Sequence, residues 1–181
     1  MKALFDQLTR EGEPAVRRLL RRSEQLDFDC KLKKDSSNGK VDREDKETLG
    51  PLLSAFANSM GGLALWGVNA RKDAEKADVI IGFCPIANIA RFESEMRDLV
   101  VEALMPRHEG ITLSSIASTD TPGAGYLAIN VDRSERRPHE SQFGARDIIG
   151  ERERRRGAWS ISRSRTPSGA WLSPRSNSIV H

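Results

Sequence analysis

The stretch from residue 49 to residue 69 constrains the fold most, because it joins an amphipathic helix, two adjacent glycines and an apolar strand. Its first apolar side chains recur at the helical period, at Leu49, Leu52, Leu53 and Phe56. This spacing predicts a helix from about residue 44 to residue 60 with one apolar face. Gly61 and Gly62 can adopt positive φ, so we expect them to end that helix in a structural turn that begins at Asn58.

The residues after the glycines are apolar on both faces and predict one strand over 63–69, covered by other elements on two sides. The glycine pair has two interpretations. It can permit close packing alone, or it can also bring backbone N–H groups near a ligand. Because isolated glycine pairs are weak evidence of a ligand site, the spacing by itself favours packing.

The rest of the chain predicts an α+β fold. The expected elements are a helix over 14–22, a half-buried strand over 26–32, a polar loop over 33–45, a charged turn over 70–77, a strand over 78–83, a helix capped by Asn88 and running through Leu104, and strands over 111–118 and 125–132. In this order the elements indicate a sandwich in which helices pack on a mixed sheet. We divide the chain into an N-terminal helical extension (1–22), a domain (23–143) and a disordered tail (144–181).

The net charge of +3 is not a guide to the ligand of the domain, because it comes from the C-terminal tail. Residues 144–181 hold eight arginines and three acidic residues, whereas the other 143 residues hold 21 basic and 23 acidic side chains. The domain is therefore slightly acidic, and its overall charge does not argue for a polyanionic partner. The two cysteines, Cys30 and Cys84, have no metal-ligand spacing and predict free thiols in a reducing compartment. No apolar run is long enough to span a membrane, and we expect a cytoplasmic chain without a membrane partner.

Four sequence blocks occur in a characteristic order: LDF at 26–28, AFANSMGG at 55–62, WGVNARK at 66–72 and RPH at 137–139. Together they resemble the Schlafen AlbA-like domain family, in its bacterial branch of transcription-regulator-like proteins. The resemblance implies an AlbA-like sandwich with two main helices on a mixed sheet, and a DNA-binding role. Some members are described as divergent ATPases, and in eukaryotic Schlafens a related fold cleaves structured RNA with three carboxylates and a divalent metal.

The nuclease carboxylates are largely missing. Asp27 matches one of them, but Arg22 and Asn69 stand where the resemblance places the other two. Glu24 is a candidate substitute, although on an extended strand it would point away from Asp27. Because a hard cation needs several anionic oxygens, we treat Glu24, Asp27 and Asn69 as a degenerate set and expect no catalysis and no metal. The chain has no G-x-x-x-x-G-K-[ST] motif, so we also expect no ATP or other cofactor.

Basic residues form three clusters that could contact a phosphate backbone. They are Lys31, Lys33 and Lys34 with Lys40, then Arg71 and Lys72, and then Arg133, Arg136 and Arg137 with His139. We expect an α+β domain to gather them on one face that binds DNA or RNA without reading its sequence. Ordinary solvated charge explains the residues equally well, since acids are interspersed, and the resemblance favours binding. A non-enzymatic oligomerisation or sensor domain, forming a homo-oligomer, is the other alternative.

The family's C-terminal block is replaced here by a segment rich in arginine and serine. If Ala158 is encoded by GCA, another reading frame can encode YHRRAGATTWRMEHFEIADAFG, which looks like that block. We therefore predict a frameshift between His139 and Asp147, an unpacked chain from about Gly144, and a sheet that lacks its last strand and exposes an edge. The alternative is a genuine disordered basic tail. The coding DNA beyond codon 143 tests the frameshift.

Overall fold

Two core layers lie on opposite faces of one four-stranded sheet in the computed structural model, which describes residues 1–72 and 78–143. The helices there are α1 (Lys2–Glu11), α2 (Glu13–Arg17), α3 (Arg43–Asn58) and α4 (Ile89–Glu102). The strands there are β1 (Phe28–Lys31), β2 (Gly62–Trp66), β3 (Val68–Lys72), β4 (Asp78–Phe83), β5 (Leu104–Met105), β6 (Ile111–Ala117), β7 (Gly125–Val131) and β8 (Glu140–Ser141). The central sheet has the order β1-β2-β7-β6, in which only β1 and β2 are parallel. The predicted α+β fold with a mixed sheet is confirmed.

Alternate residues of β2 enter the two cores, as the apolar run predicted. Ala64 and Trp66 pack with the helices α3 and α4, whereas Leu63 and Leu65 face the N-terminal helices. All five residues of β2 are buried. The two main helices therefore cover one face of the sheet, and α1 and α2 cover the other.

The N-terminal segment predicted as an extension contributes to the second core. Phe5, Leu8 and Val16 are buried in the same cluster as Phe28 and Tyr126 of the sheet. The sequence analysis missed α1, and the helix predicted over 14–22 is shorter than expected. It ends at Arg17, and the chain has left helical geometry by Arg21, where φ is 65°.

The predicted helix-glycine-strand unit is confirmed at its start and wrong at its end. Asp42 and Asp45 form a capping box that begins α3, and Gly61 adopts a φ of 85° just after the helix. The single strand predicted over 63–69 is broken at Gly67, where φ is 91°. Beyond this residue the chain leaves the central sheet as β3, which pairs antiparallel with β4 in a separate sheet.

The alternating strand predicted over 26–32 is also shorter. Gln25 and Phe28 exchange two backbone hydrogen bonds of 3.0 Å, which close a tight turn over Leu26 and Asp27. Leu26 is fully exposed as a result, and Leu32, beyond the other end of β1, is 48% exposed. Strict alternation therefore identified the strand but overestimated its length, because a turn replaces its first residues and β1 ends before Leu32.

The remaining elements follow the predictions closely. Asn88 caps α4 through its side chain, and β4, β6 and β7 lie where the pattern placed strands. Residues 70–72 belong to β3 and not to the predicted charged turn, and the rest of that prediction, at 73–77, lies outside the described residues. The predicted disordered tail, the frameshift and the missing strand also fall outside them. Within the described ranges, no helix has the length and apolar character needed to cross a bilayer.

Candidate nucleic-acid interface

The register of the sheet separates the first and third basic clusters. Lys31 pairs with Trp66, which pairs with Leu127 at the start of β7. At the other end of the sheet Gly62 pairs with Val131, and Arg133 follows two residues later. The two clusters therefore lie beyond opposite ends of the sheet. The expectation that all three clusters share one face is wrong, because β7 runs antiparallel to β1 and β2.

Carboxylates pair with three lysines of the first cluster, Lys31, Lys33 and Lys34. The Nζ of Lys33 is buried, at 2.5 Å from Asp45 and 3.1 Å from Asp42. Burial alone would lower the pKa of Lys33, but the hydrogen bonds to Asp45 and Asp42 outweigh it and hold the pKa above its ordinary value. Lys33 was predicted to contact phosphate. Since its side chain is 1% exposed, its charge stabilises the start of α3 instead.

The neighbours of Lys33 are also paired, at the surface. Lys31 lies 2.8 Å from Asp29, and Lys34 lies 3.3 Å from Glu44. Exposed pairs of this kind are weak and open easily to a competing anion. These two lysines therefore stay accessible, but each carries an acidic neighbour that offsets its attraction for phosphate.

The second cluster lies beside a groove of about 580 Å³. Arg71 and Lys72 are exposed on the last residues of β3, and Arg71 pairs with Val79 of β4. Val79 in turn bridges to Ser23, which brings Arg21 to the same groove. Sequence reasoning missed Arg21, because its approach depends on pairing between segments more than fifty residues apart.

The third cluster borders a hollow of about 250 Å³ between two chain segments. One segment supplies Arg133 and Arg136, and the other supplies Arg107 with His108. Two contacts hold the segments together: the N–H of Asp132 donates to the carbonyl of Gly110 at 2.7 Å, and His108 Nε2 lies 2.7 Å from the carbonyl oxygen of Asp132. Arg107 was absent from the sequence prediction, since nothing in its local sequence indicates this contact. Arg137 lies apart and donates to the carbonyl of Asn58 at 3.4 Å.

Asn58 fixes the loop that carries these arginines. Its Oδ1 accepts from the backbone N–H of His139 at 2.8 Å, and its Nδ2 donates to the His139 carbonyl at 2.9 Å. The hydroxyl of Ser54 donates to the same carbonyl at 2.7 Å. The side-chain amide therefore makes the two hydrogen bonds that a neighbouring strand would make with His139. It joins the sequence blocks at 55–62 and 137–139 in space.

Gly61 and Gly62 each require glycine, but for different structural reasons. At Gly61 the φ is positive, and a Cβ would lie 2.6 Å from the carbonyl oxygen of Val131. At Gly62 a Cβ would lie 2.4 Å from the ring of Phe56. The predicted structural turn of Asn58, Gly61 and Gly62 thus joins α3, β2 and the arginine loop, which agrees with the packing interpretation of the glycines.

His139 is buried and does not face a phosphate, which corrects its predicted role. Its Nδ1 lies 2.6 Å from the carbonyl oxygen of Pro106, and its Nε2 lies 2.6 Å from the hydroxyl of Ser134. Because a carbonyl only accepts, Nδ1 carries the proton and Nε2 accepts from Ser134. The Ser134 oxygen accepts in turn from the N–H of Arg136 at 3.0 Å. His139 therefore braces the loop from inside.

The degenerate nuclease residues lie in different local settings. Glu24 Oε1 accepts from the N–H of Cys30 at 2.7 Å, whereas Asp27 lies in the exposed turn before β1. The two residues flank a turn and do not share one strand, which corrects the geometry assumed from the sequence. Burial raises the pKa of Glu24. Asn69 lies on β3, in the other sheet. Over the described residues, no three or more His, Cys, Asp or Glu side chains are grouped to hold a metal ion.

Comparison with known proteins identifies the family. The family described as Schlafen, AlbA_2 matches residues 23–158, which is most of the chain. Among solved structures, the chain is similar to the solution NMR structure of the N-terminal domain of a RecG-related protein from Nitrosomonas europaea, with 13% identity, a TM-score of 0.46, and coverage of 99% of this chain and 93% of that one. No curated protein matches the chain. The family match establishes that this chain belongs to the Schlafen AlbA_2 family.

Proposed function

We propose that this protein binds nucleic acid, with DNA as the expected ligand, by contacting the phosphate backbone and without cleaving it. The contact surface is the arginine patch, which we define as Arg107, Arg133, Arg136 and Arg137. The observation that carries the proposal is that two separate segments place arginines around one hollow beyond the end of β7. Guanidinium groups match phosphate geometry and keep their charge at all relevant pH values.

The arginine patch differs from the first cluster in the state of its charges. Among residues 1–72 and 78–143, no ion pair involves Arg107, Arg136 or Arg137, and Arg133 has only a pair of 3.5 Å with Glu135. Glu109 and Glu135 also border the hollow, so three arginines and two carboxylates share its lining. Arginines outnumber acids there, which favours an anionic ligand. The groove bordered by Arg21, Arg71 and Lys72 is a second phosphate contact for a long strand.

Contacts of this type predict affinity without sequence preference. Phosphate contacts position a protein on nucleic acid, and each one releases counterions, so binding weakens as salt increases. Fluorescence anisotropy with a labelled DNA duplex and an RNA of the same sequence, between about 50 and 200 mM salt, measures both properties. We expect binding that falls steeply with salt and varies little with sequence.

The matched variants are Arg107→Gln/Arg136→Gln, which removes two of the four charges of the patch, and Arg10→Gln/Arg91→Gln, which removes the same charge from exposed positions on two helices. We expect the first pair to lower affinity about tenfold or more and to reduce the salt slope by roughly two, and the second pair to change little. Both are made in the full chain, so residues 144–181 contribute equally to each. Absence of binding at low salt, or equal losses in the two pairs, contradicts the proposal.

The absence of cleavage is tested separately. Structured RNA and DNA are incubated with the protein and Mg²⁺ or Mn²⁺, and the products are resolved on a denaturing gel. We expect intact substrate, because no three His, Cys, Asp or Glu side chains of the described residues are grouped to hold the metal that such cleavage needs. Cleavage that Asp27→Asn abolishes contradicts this expectation and identifies a metal-dependent nuclease.

A further inference from the structure

The hollow of the arginine patch is small and has two sides. Its volume of about 250 Å³ lies between the segment of Arg107 and His108 and the turn of Arg133 and Arg136. Pockets for drug-sized ligands begin at about 300 Å³. The hollow is therefore smaller than a usual pocket for a drug-sized ligand, and it has room for a single anionic group.

We infer that this hollow binds a phosphomonoester, such as the phosphate at the end of a nucleic-acid strand. The inference deepens the proposed function and rests on it for the source of the ligand. A phosphomonoester carries a charge of about −1.5 to −2 at pH 7 and three free oxygens. An internal phosphodiester has a single charge and continues as chain on both sides. Three guanidinium groups and the two carboxylates of Glu109 and Glu135 line the hollow, so its lining keeps a positive balance, which matches the first better than the second.

The loop geometry favours such a site because the backbone that carries Arg136 is held before any ligand arrives. The Ser134 hydroxyl accepts from the N–H of Arg136 and donates to His139, and Asn58 holds His139 in place. The other wall is joined to this loop through the contact of His108 with Asp132. A preorganised loop loses less conformational freedom on binding, which increases affinity for a small ligand.

An internal phosphate and an end phosphate are expected to use the patch differently. A continuous strand can lie across the rim of the hollow, where the exposed ends of its arginines reach it. A terminal group has only one substituent, so it can enter the hollow while the strand leaves on one side. The two modes predict different responses to a single chemical change at the 5′ end.

The experiment compares one oligonucleotide with a 5′-phosphate and with a 5′-hydroxyl, binding to the full-length protein by anisotropy at fixed salt. We expect the phosphorylated strand to bind about tenfold more tightly, the equivalent of one charge-assisted hydrogen bond. In Arg107→Gln and in Arg136→Gln this difference is expected to disappear, whereas Arg10→Gln preserves it. Arg136→Lys retains the charge but lacks the planar set of guanidinium donors, so we expect it to keep part of the preference for the phosphorylated strand. Thermal melting confirms that each variant is folded.

Competition with AMP and with inorganic phosphate distinguishes the sources of the phosphate group. Equal affinity for the two oligonucleotides, with salt-dependent binding of both, overturns the inference and leaves the proposed function intact. Binding of AMP that Arg136→Gln abolishes, without binding of either oligonucleotide, supports the phosphomonoester site and overturns the proposed function. Failure of all four probes to bind overturns both.

Discussion

The side-chain amide of Asn58 pairs with the main chain of His139 on both sides, accepting from its N–H at 2.8 Å and donating to its carbonyl at 2.9 Å. The two residues lie 81 positions apart. This contact connects the end of a core helix to the loop that presents the arginine patch. It explains why an asparagine, and no other small polar residue, suits the turn.

Replacing Asn58 with aspartate is expected to destabilise the protein by about 2 kcal/mol, because the donor is lost and a carboxylate faces the His139 carbonyl. Ser54→Ala removes one hydrogen bond to the same carbonyl and should cost about 1 kcal/mol. Urea unfolding monitored by tryptophan fluorescence gives both values. If Asn58→Asp is as stable as the unmodified protein, the two hydrogen bonds between Asn58 and His139 do not stabilise the fold as argued.

The two glycines after α3 are expected to tolerate no side chain. Gly61→Ala combines a positive φ with a Cβ only 2.6 Å from a backbone oxygen and should lower the free energy of unfolding by about 2 kcal/mol or more. Gly82→Ala is the matched control, because a Cβ added at Gly82 would meet nothing within 4 Å and the φ of this residue does not lie in the positive range that favours glycine. It should change stability by less than about 1 kcal/mol. Equal effects in a urea titration would show that the turn is not restrictive.

Lys33 and Lys34 are adjacent but are expected to behave differently. Lys33→Met leaves Asp45 buried without its cation, which should destabilise the protein by about 3–5 kcal/mol. Lys34→Met breaks only a surface pair with Glu44 and should cost less than about 1 kcal/mol. Calorimetric melting of the two variants makes the comparison. Similar melting temperatures would contradict the buried pairing of Lys33.

Glu13 is expected to make the protein sensitive to acid. Burial alone would raise the pKa of this carboxyl, but hydrogen bonds from Thr119 and Tyr126 and the charge of Arg17 outweigh it and lower the pKa from 4.5 to about 2. The unfolded chain therefore binds this proton at higher pH than the folded one. The stabilisation by Glu13 is fully present above about pH 4.5 and is lost as the pH falls toward 2.

Glu13→Gln tests this linkage. The variant should be less stable at neutral pH by about 2 kcal/mol, since the amide cannot accept all the donors around it. Its stability should also fall less steeply than that of the unmodified protein between pH 4.5 and 2. Urea unfolding at several pH values measures the slope. Parallel pH profiles for the two proteins would exclude Glu13 as the source of the dependence.

Local pattern predicted those parts of the fold in which neighbouring residues decide the outcome. The period of α3, its end before Gly61 and the apolar character of β2 depend on residues within a few positions of one another. The break at Gly67 was missed because a single glycine within an apolar run has the same appearance in a continuous strand. The turn over Leu26 was missed because its hydrogen bonds interrupt a perfect alternation.

The candidate site was less predictable, since charge in the sequence does not reveal its partner in space. Lys33 and His139 are residue types that often bind phosphate, but residues distant in the sequence bury their side chains. Arg107 gains its place through the contacts of Asp132 with His108 and Gly110, which join segments that are distant in the chain. Strand direction separated the first and third basic clusters, because β7 runs antiparallel to β1 and β2 and its following loop therefore lies at the end of the sheet away from Lys31.

The contribution of Phe5, Leu8 and Val16 to the second core has a practical consequence for anyone who isolates this domain. The family match begins at residue 23, downstream of all three. A fragment trimmed to that boundary would uncover Phe28, Leu63 and Tyr126 on an entire sheet face and would lose the carboxylate that receives the Tyr126 hydroxyl. Such a fragment is expected to be found in inclusion bodies, so expression should start at Met1.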